Sequence, residues 1–456
     1  MIARDRTLMN KPEVYLVGIH VVFGVVATVV KAFIPLLFFA VSCLYVFKYA
    51  RHDMHKYRIL VFISYLMGLE ILNRSVGGSF LPYEIGKYIQ IGFIIVNIII
   101  ARTWFTSMVG ILVIILLLPS FILYEPGFLK HFVFNTLGIL TLGFMIAFTA
   151  YQKITLENLS NILKAFLLPC VTFVTYITLK TPDYSQIDFN LSSTVATSGG
   201  FGSNQVATLL GAAICFLVIM LDQKYYIGNR IITICLILYF TLRAFLTFSR
   251  GGIISMIISV LLSFIFFRKI KQSSVVKLTL LSVGFILIFI LTNNITGGQL
   301  LLRYQGETSG TVQGNREKNL ESISSGRNNY AAVDIDVFFD NIILGVGPGN
   351  VQFNRYKYGL YEDEIPPHTE QTRLLAESGI FGLFINLILI FWPVYIIRGT
   401  RNRDMKLIKC MLFIFAYATS FHSAIRTGLT PLLYGLASMD IIDYKTQSAE
   451  LNDQEI

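Results

Sequence analysis

Residues 205–221 read QVATLLGAAICFLVIML, a run without a charged side chain. An α-helix needs about 17–25 mostly apolar residues to cross the hydrocarbon core of a bilayer, and this run is long enough. Comparable apolar runs recur along the chain and are separated by polar connections. The sequence therefore predicts an all-α polytopic membrane protein rather than a soluble enzyme.

The composition agrees with a chain that is surrounded by lipid. Of the 456 residues, 54% are hydrophobic and only 14% are charged, and the mean hydropathy is +0.65. A soluble domain carries roughly a quarter charged residues, so this chain has too little polar surface to cover a globule. The net charge of +10 comes from short basic clusters between apolar runs. This distribution is typical of membrane topology signals and argues against a nucleic-acid-binding surface.

The apolar runs predict about 12–14 transmembrane helices. We place them at residues 14–30, 32–47, 59–73, 88–101, 105–124, 132–151, 165–179, 205–221, 231–248, 252–267, 276–292, 378–397, 407–422 and 427–441. Basic residues are concentrated in alternate connections, so the positive-inside rule predicts that both termini are cytoplasmic. These basic residues are Lys48, Arg51, Lys56, Arg58, Lys153, Lys164, Lys224, Arg230, Arg268, Lys269, Lys271, Arg398, Arg401, Arg403 and Lys406.

The five cysteines all fall inside apolar runs and none has metal-ligand spacing, so we interpret them as small core residues. They are Cys43, Cys170, Cys215, Cys235 and Cys410.

Two connections on the side of the membrane opposite to the basic clusters are long. Residues 180–204 are polar and rich in Ser, Thr and Gly, and residues 293–377 form a loop far longer than a structural connection needs. The first part of that loop, 293–325, has a composition typical of a mobile segment, whereas 328–340 has apolar residues at helical spacing and predicts a helix. We expect one membrane domain, 1–456, whose large periplasmic loop carries the active-site elements.

The strongest chemical feature is PPHTEQTRLLAESGIFG at residues 366–382. The two prolines stop any preceding helix, so His368 is predicted to stand at the start of a helix. We expect a short amphipathic helix over 369–377 with Leu374 and Leu375 facing the membrane, followed by a sharp turn at Gly379. This arrangement would leave the imidazole free to meet a substrate at the outer surface. A helix-capping histidine is the alternative.

A second feature is FSRGG at residues 248–252, where one span turns into the next. Arg243 and Arg250 are seven residues apart, which on a continuous helix places them on one face, about 10 Å apart along the axis. Arginine in a span usually faces a cavity or a partner, so both are candidate substrate-binding residues. The alternative is a buried ion pair between Arg243 and Glu70 with a snorkelling Arg250.

A third feature is SGR at residues 325–327, followed by the glycine-rich stretch 341–350. Arg327 near a helix start, beside free backbone amides, is suited to binding a phosphate group. The glycine-rich stretch lacks the Gly-Lys-Ser/Thr ending of a P-loop, so by itself it predicts only a tight turn. Asp334 and Asp336 come nearest to paired carboxylates, but we interpret them as the polar face of the loop helix, so no metal site is predicted. Further outer-face residues that could line a cavity are Arg74, Lys87, Arg373, His422 and Arg426.

In this order and on this topology, these stretches resemble the O-antigen ligase and polymerase superfamily of bacterial membranes. His368, Gly379 and Gly382 fit the spacing of the ligases' periplasmic-loop signature, with Thr369 in place of its usual second residue. The resemblance covers roughly residues 190–440. The other stretches that resemble family motifs are 200–205, 249–252, 325–327 and 345–350.

The resemblance implies a C-type glycosyltransferase-like membrane fold and a metal-independent, inverting glycosyl transfer that needs no cofactor. The donor would be a glycan on undecaprenyl diphosphate at the periplasmic face of the inner membrane, and the acceptor the lipid A–core oligosaccharide. It also implies that His368 is the catalytic base and that Arg250 and Arg327, with Arg243, bind the donor.

Three alternatives remain open at this point. A polymerase of the same superfamily would extend a lipid-linked glycan, and an oligosaccharyltransferase would glycosylate protein. A transporter or flippase belongs to another class. Against it, the sequence lacks paired broken helices in two matching halves, and its polar residues are concentrated on one face of the membrane.

Overall fold

The computed structural model describes residues 11–49, 56–77, 80–102, 104–123, 129–268, 272–315, 317–318, 326–360, 367–423 and 425–442. The residues of the sequence analysis that lie outside these ranges are Arg51, Lys269, Lys271, Ser325 and Pro366.

Eighteen α-helices and one parallel pair of short strands make up the regular structure of the described residues. The helices are α1 Lys11–Val29, α2 Phe33–Tyr49, α3 Lys56–Ser75, α4 Ile85–Ala101, α5 Met108–Leu117, α6 Leu129–Thr149, α7 Leu156–Lys180, α8 Ser203–Asp222, α9 Arg230–Leu246, α10 Arg250–Phe267, α11 Gln272–Ile295, α12 Gln299–Tyr304, α13 Ser309–Val312, α14 Arg327–Asp340, α15 Val351–Asn354, α16 Glu370–Gly399, α17 Arg403–Ser423 and α18 Leu429–Ser438. The strands are β1 Lys153–Thr155 and β2 Asp440–Ile442.

Each of the predicted apolar runs contains a helix, but two of the helices are shorter than predicted: α5 covers only Met108–Leu117 of the run 105–124, and α18 ends at Ser438, so that residues 440 and 441 of the run 427–441 lie in β2. Within the described residues, six helices are long and apolar enough to cross a membrane by themselves, namely α1, α6, α7, α8, α10 and α16. The other predicted spans lie in helices that are shorter or that contain charged residues, such as Glu70 and Arg74 in α3. The chain is thus an all-α, multi-pass membrane protein, as predicted.

The centre of the bundle is formed by α7 and α8. Helix α7 packs against α1 and α3, and α8 packs against α9 and α10. Both central helices are buried on nearly all sides, which explains why their sequences are apolar all round rather than along one stripe. Of the five cysteines, Cys235 in α9 is exposed, so its interpretation as a core residue is wrong: among the described residues, no helix covers its face of α9.

The junction between α9 and α10 differs from the expected continuous helix. Helix α9 ends at Leu246 and α10 begins at Arg250, and Phe248 between them has a φ of +56°. A left-handed residue interrupts the helical path, so the prediction that Arg243 and Arg250 share one helix face is wrong.

The long loop contains the predicted helix, which is observed as α14. Its Val337 packs with Val351 and Ala376 in a small apolar cluster separate from the main core, and this cluster holds α14 against the start of α16. Leu374 is only 1% exposed, so the prediction that it faces the membrane is wrong. It packs into the main core because α14 and the bundle enclose this first part of α16.

Helix α16 makes the predicted sharp turn. Gly379 has φ +58° and ψ −134°, and the Ile380 amide donates to the carbonyl oxygen of Ile342 at 2.7 Å. The glycine-rich stretch packs on the same turn, where the Gly347 amide donates to the Glu377 carbonyl oxygen at 3.0 Å. The stretch is therefore a structural turn that holds the beginning of α16 in place.

We expect Gly379→Ala to destabilise the protein. The added Cβ would lie 2.5 Å from the Ile342 carbonyl oxygen at a φ of +58°, and backbone strain of this kind alone costs about 1–3 kcal/mol. Thermal unfolding of purified protein in detergent should show a clearly lower midpoint. Gly399→Ala in the same helix is the control, because a Cβ there meets no atom within 4 Å. Equal midpoints for the two variants would contradict this account.

Candidate functional site

His368 lies in the short connection immediately before α16 and is half-buried. The carbonyl oxygen of the preceding Pro367 accepts a hydrogen bond from Nη2 of Arg426 at 2.7 Å. No group among the described residues hydrogen-bonds to the imidazole, so the structure gives no support to a helix-capping role. The backbone at His368 is thus held by Arg426, while its side chain is available to a ligand.

Five arginines from separate parts of the chain form one electrostatically connected group with this histidine. They are contributed by α10, α12, α14, the turn after α15 and the connection before α18, and each influences the charge of at least one other member of the group. A second histidine, at the end of α17, belongs to the same group. We call Arg250, Arg303, Arg327, Arg355, His368, His422 and Arg426 the cationic centre.

The electrostatics of the centre keep His368 neutral. Burial, followed by the nearby charges of Arg426, Arg327 and Arg355, lowers the pKa of His368 to about 3. Burial and then Arg250 and Arg426 lower the pKa of Arg327. Arginine stays charged near pH 7, so the centre combines positive guanidinium groups with an uncharged imidazole that can accept a proton.

Arg250 is positioned by contacts at the α9–α10 junction. Its Nη1 donates to the carbonyl oxygen of Arg303 at 3.0 Å, and Nη1 of Arg303 donates to the Leu191 carbonyl oxygen at 2.7 Å. The neighbouring Ser249 hydroxyl donates to Oδ1 of Asn204 at 2.8 Å. These bonds join α10, α12 and the 180–204 loop around Arg250.

The structure places Arg243 beneath the 180–204 loop instead. It is 1% exposed, and Nη2 donates at 2.8 Å both to Oγ1 of Thr181 and to the carbonyl oxygen of Thr197. Its contacts favour a role in anchoring this loop rather than in direct binding of a substrate. The alternative ion pair with Glu70 is wrong, because Glu70 pairs with Arg74 at 2.5 Å.

Asp334 is a buried ion-pair partner and not part of a polar face. Its two carboxylate oxygens accept from Nε and Nη2 of Arg355 at 2.8 and 3.1 Å, and one of them also accepts from the hydroxyl of Thr372 at 3.1 Å. The interpretation of Asp334 as a polar-face residue is therefore wrong, because the turn after α15 brings Arg355 onto α14. Asp336 is exposed as predicted.

Charge pairing separates the other outer-face residues into two groups. Arg373 is buried between Glu370 and Glu377, with its Nη1 2.5 Å from Oε2 of Glu377. Arg74 and Lys87 are likewise buried beside carboxylates. These cations hold structure together. By contrast, Arg426 and His422 belong to the cationic centre. Sequence reasoning missed Arg303 and Arg355 because no motif surrounds them; Arg355 is paired with Asp334, and its charge also acts on His368.

His422 is packed directly against the start of α10. Its Nε2 lies 3.0 Å from Oγ1 of Thr208 in α8. A Cβ on Gly251 would lie 2.3 Å from Cγ of the imidazole, so only glycine lets the ring occupy this position. This explains the first glycine of the Ser-Arg-Gly-Gly stretch in terms of packing.

We expect Gly251→Ala to impair the activity of the site more than the stability of the protein. The new methyl group would push His422 aside and move the adjoining Arg250, and a small displacement at a reacting centre can reduce turnover by about 10²-fold. Glycan transfer by purified protein is the measurement. Gly92→Ala is the control, because a Cβ there meets no atom within 4 Å. Unchanged transfer by the Gly251 variant would contradict the importance of this packing.

An apolar groove with a volume of about 790 Å³ begins beside the cationic centre. It starts at Gly251 and His422, runs between α10, α16 and α17, and reaches Arg398 at the other end. Aliphatic side chains such as Ile254, Ile258 and Leu389 line its length. A long hydrocarbon chain in this groove would therefore have its polar end at the centre.

Residues 234–387, about a third of the chain, match the family of proteins described as O-antigen ligases. This segment belongs to the O-antigen ligase superfamily. It runs from α9 into α16 and includes Arg250, Arg327 and His368, whereas His422 and Arg426 lie beyond it. No curated protein matches the chain.

The O-antigen ligase segment supplies the general class of activity. The protein is a glycosyltransferase-like enzyme of the ligase or polymerase type that works on lipid-linked glycans in a membrane. The superfamily resemblance predicted from the sequence is confirmed.

Proposed function

We propose that this protein transfers a polysaccharide from undecaprenyl diphosphate to the lipid A–core oligosaccharide. The reaction takes place at the periplasmic face of the bacterial inner membrane, without a metal ion and with inversion at the anomeric carbon. The observation that carries this proposal is the cationic centre, in which the charges of Arg327, Arg355 and Arg426 act on a half-buried, neutral histidine and Arg250 and Arg303 adjoin Arg327. We place the active site in the 293–377 loop and the helices beneath it, within one membrane domain.

The centre is suited to a diphosphate. A guanidinium group binds phosphate oxygens with two parallel hydrogen bonds. As the bond between the sugar and the diphosphate breaks, negative charge grows on the leaving group, and fixed positive charges stabilise it. Arg250 and Arg327 have this role in our proposal. The apolar groove beside Gly251 would hold the isoprenoid chain of the donor.

His368 would serve as the general base. The acceptor hydroxyl attacks the anomeric carbon from the face opposite the diphosphate and passes its proton to the imidazole. The bond between the anomeric carbon and the phosphate oxygen breaks, and its electron pair leaves with the diphosphate. An imidazole with a pKa of about 3 is a weak base. A bound diphosphate would offset the charges of Arg426, Arg327 and Arg355 and so raise that pKa, which makes His368 a stronger base once the donor is in place.

In vitro transfer is the test. Purified protein would be mixed with undecaprenyl-diphosphate-linked glycan and lipid A–core in the presence of EDTA, and the products would be separated on a gel. We expect core that carries glycan. If the product were longer carrier-linked glycan and the core were unmodified, the activity would be that of a polymerase that uses the same site and not that of a ligase. The absence of both products, together with flux of glycan lipid in proteoliposomes, would overturn glycosyl transfer in favour of transport.

A further inference from the structure

A second basic site lies at the opposite end of α16 from His368. From Gly379 to Arg398 the helix spans about 28 Å at 1.5 Å per residue, close to the thickness of the hydrocarbon core. A cavity of about 1090 Å³ opens there between the ends of α16 and α18 and the start of α17. Its charged lining residues are Lys153, Arg398, Arg401, Arg403, Lys409 and Asp440.

The charges in this cavity are unbalanced. Five cations face one carboxylate among the described lining residues, and none of the five forms an ion pair with a carboxylate in the described part of the chain. Lys409 is only 4% exposed, and its Nζ donates to Oγ1 of Thr400 at 3.0 Å. The charge of Asp440, the one carboxylate of the described lining, also acts on this buried ammonium group, so the other four cations of the lining remain in excess.

The basic cavity continues into an apolar groove on the side of the bundle. This groove has a volume of about 710 Å³, lies between α5 and α16, and shares Tyr151 and Tyr395 with the cavity. Trp392 lies against both tyrosine rings, with centroid distances of 5.8 and 5.7 Å. Aromatic residues of this kind are enriched where the hydrocarbon core meets the headgroups, so the cavity would lie at headgroup level and the groove at acyl-chain level.

We propose that the basic cavity and this groove together bind one anionic phospholipid of the surrounding bilayer. The phosphodiester lies among Arg398, Arg401 and Lys409, and an acyl chain occupies the groove lined by Leu112 and Phe391. A free phosphate would leave the apolar groove unfilled, and a zwitterionic lipid would leave the excess positive charge uncompensated. Basic pockets between transmembrane helices are known to bind anionic headgroups. The proposal does not depend on the glycosyl transfer.

Native mass spectrometry of the whole purified protein tests this proposal, with phosphatidylglycerol and phosphatidylcholine of equal chain length added in turn. We expect phosphatidylglycerol to be retained preferentially. The double variant Arg398→Gln/Arg401→Gln should bind it about thirtyfold more weakly, since each cation near an anionic headgroup contributes roughly fivefold. Lys406→Gln is the control, because Lys406 lies in the first turn of α17, close to the cavity, but does not line it. It should retain wild-type affinity.

Two further measurements separate a lipid site from a phosphate site. Leu112→Trp should fill part of the groove and weaken phosphatidylglycerol binding while leaving the binding of inorganic phosphate unchanged. Equal affinity for inorganic phosphate and for phosphatidylglycerol would overturn the lipid proposal. The lipid proposal would also be overturned if wild type retained the two lipids equally and the double variant retained them to the same extent. The cations would then serve only as a topology signal.

Discussion

His368→Ala is expected to abolish glycan transfer while the protein still inserts into the membrane and folds. Removal of a general base typically costs about 10²–10⁴-fold in rate, and the other histidine of the cationic centre, His422, is packed between Gly251 and Thr208. The measurement is the initial rate of transfer in vitro at saturating donor. Because the imidazole makes no hydrogen bond with any of the described residues, its loss should leave the thermal midpoint unchanged.

His131→Ala is the matched control for this variant. His131 is an exposed histidine at the start of α6, and its removal should leave transfer unchanged. A His368→Ala enzyme with wild-type activity would remove the base assignment. A His368→Ala variant that is inactive and also unfolds at a lower temperature would indicate a structural role instead.

The pH dependence gives an independent view of the same residue. In the protein without donor, burial and the neighbouring arginines hold the pKa of His368 at about 3, so the imidazole remains neutral as the pH falls from 7 to 5. The apparent second-order rate constant, kcat/KM, should therefore not decrease over this range. Bound diphosphate raises that pKa, so kcat should decrease as the pH falls through the raised value. If kcat/KM and kcat decreased at the same acidic pH, the proposed effect of bound diphosphate on the pKa of His368 would be contradicted.

Arg250→Lys and Arg327→Lys are expected to cause severe defects although each keeps its positive charge. Lysine lacks the planar fork that contacts two phosphate oxygens at once. Loss of one donor aimed at a developing negative charge typically costs about 10²–10³-fold in kcat. Because the charge grows during the reaction, we expect kcat to fall more than the affinity for the donor.

Arg230→Lys provides the control for these two variants. Arg230 is exposed at the start of α9, outside the cationic centre, so its replacement should not change transfer. Near-normal transfer by Arg250→Lys would indicate that Arg250 is a snorkelling side chain and does not bind the diphosphate. If Arg327→Lys alone kept activity, Arg250 and the arginines outside α14 would have to bind the diphosphate without it.

Several parts of the site followed from local sequence. The apolar runs predicted every helix of the bundle, because the length of a membrane span is set by the bilayer. The prolines before His368 and the glycine at 379 predicted where α16 starts and where it turns. The apolar spacing over 328–340 predicted α14, since this signal depends only on near neighbours in the chain.

Other parts of the site depended on contacts between distant segments. Arg303 and Arg355 carry no motif, and they join the centre because α12 and the turn after α15 fold back onto α10 and α14. Asp334 was assigned to a polar face, yet it is buried because Arg355 meets it from another element.

The sequence by itself thus determined that the chain is a helical membrane protein, and it predicted His368, Arg250 and Arg327 as candidate site residues. Only the tertiary structure decided which cations are paired with carboxylates. Glu70 neutralises Arg74 and also accepts a hydrogen bond from the amide of Gly428 at 2.9 Å, a contact between opposite ends of the chain. Whether an arginine binds a substrate or a carboxylate depends on which helices pack beside it, because ion pairs act over a few ångströms of space and not along the sequence.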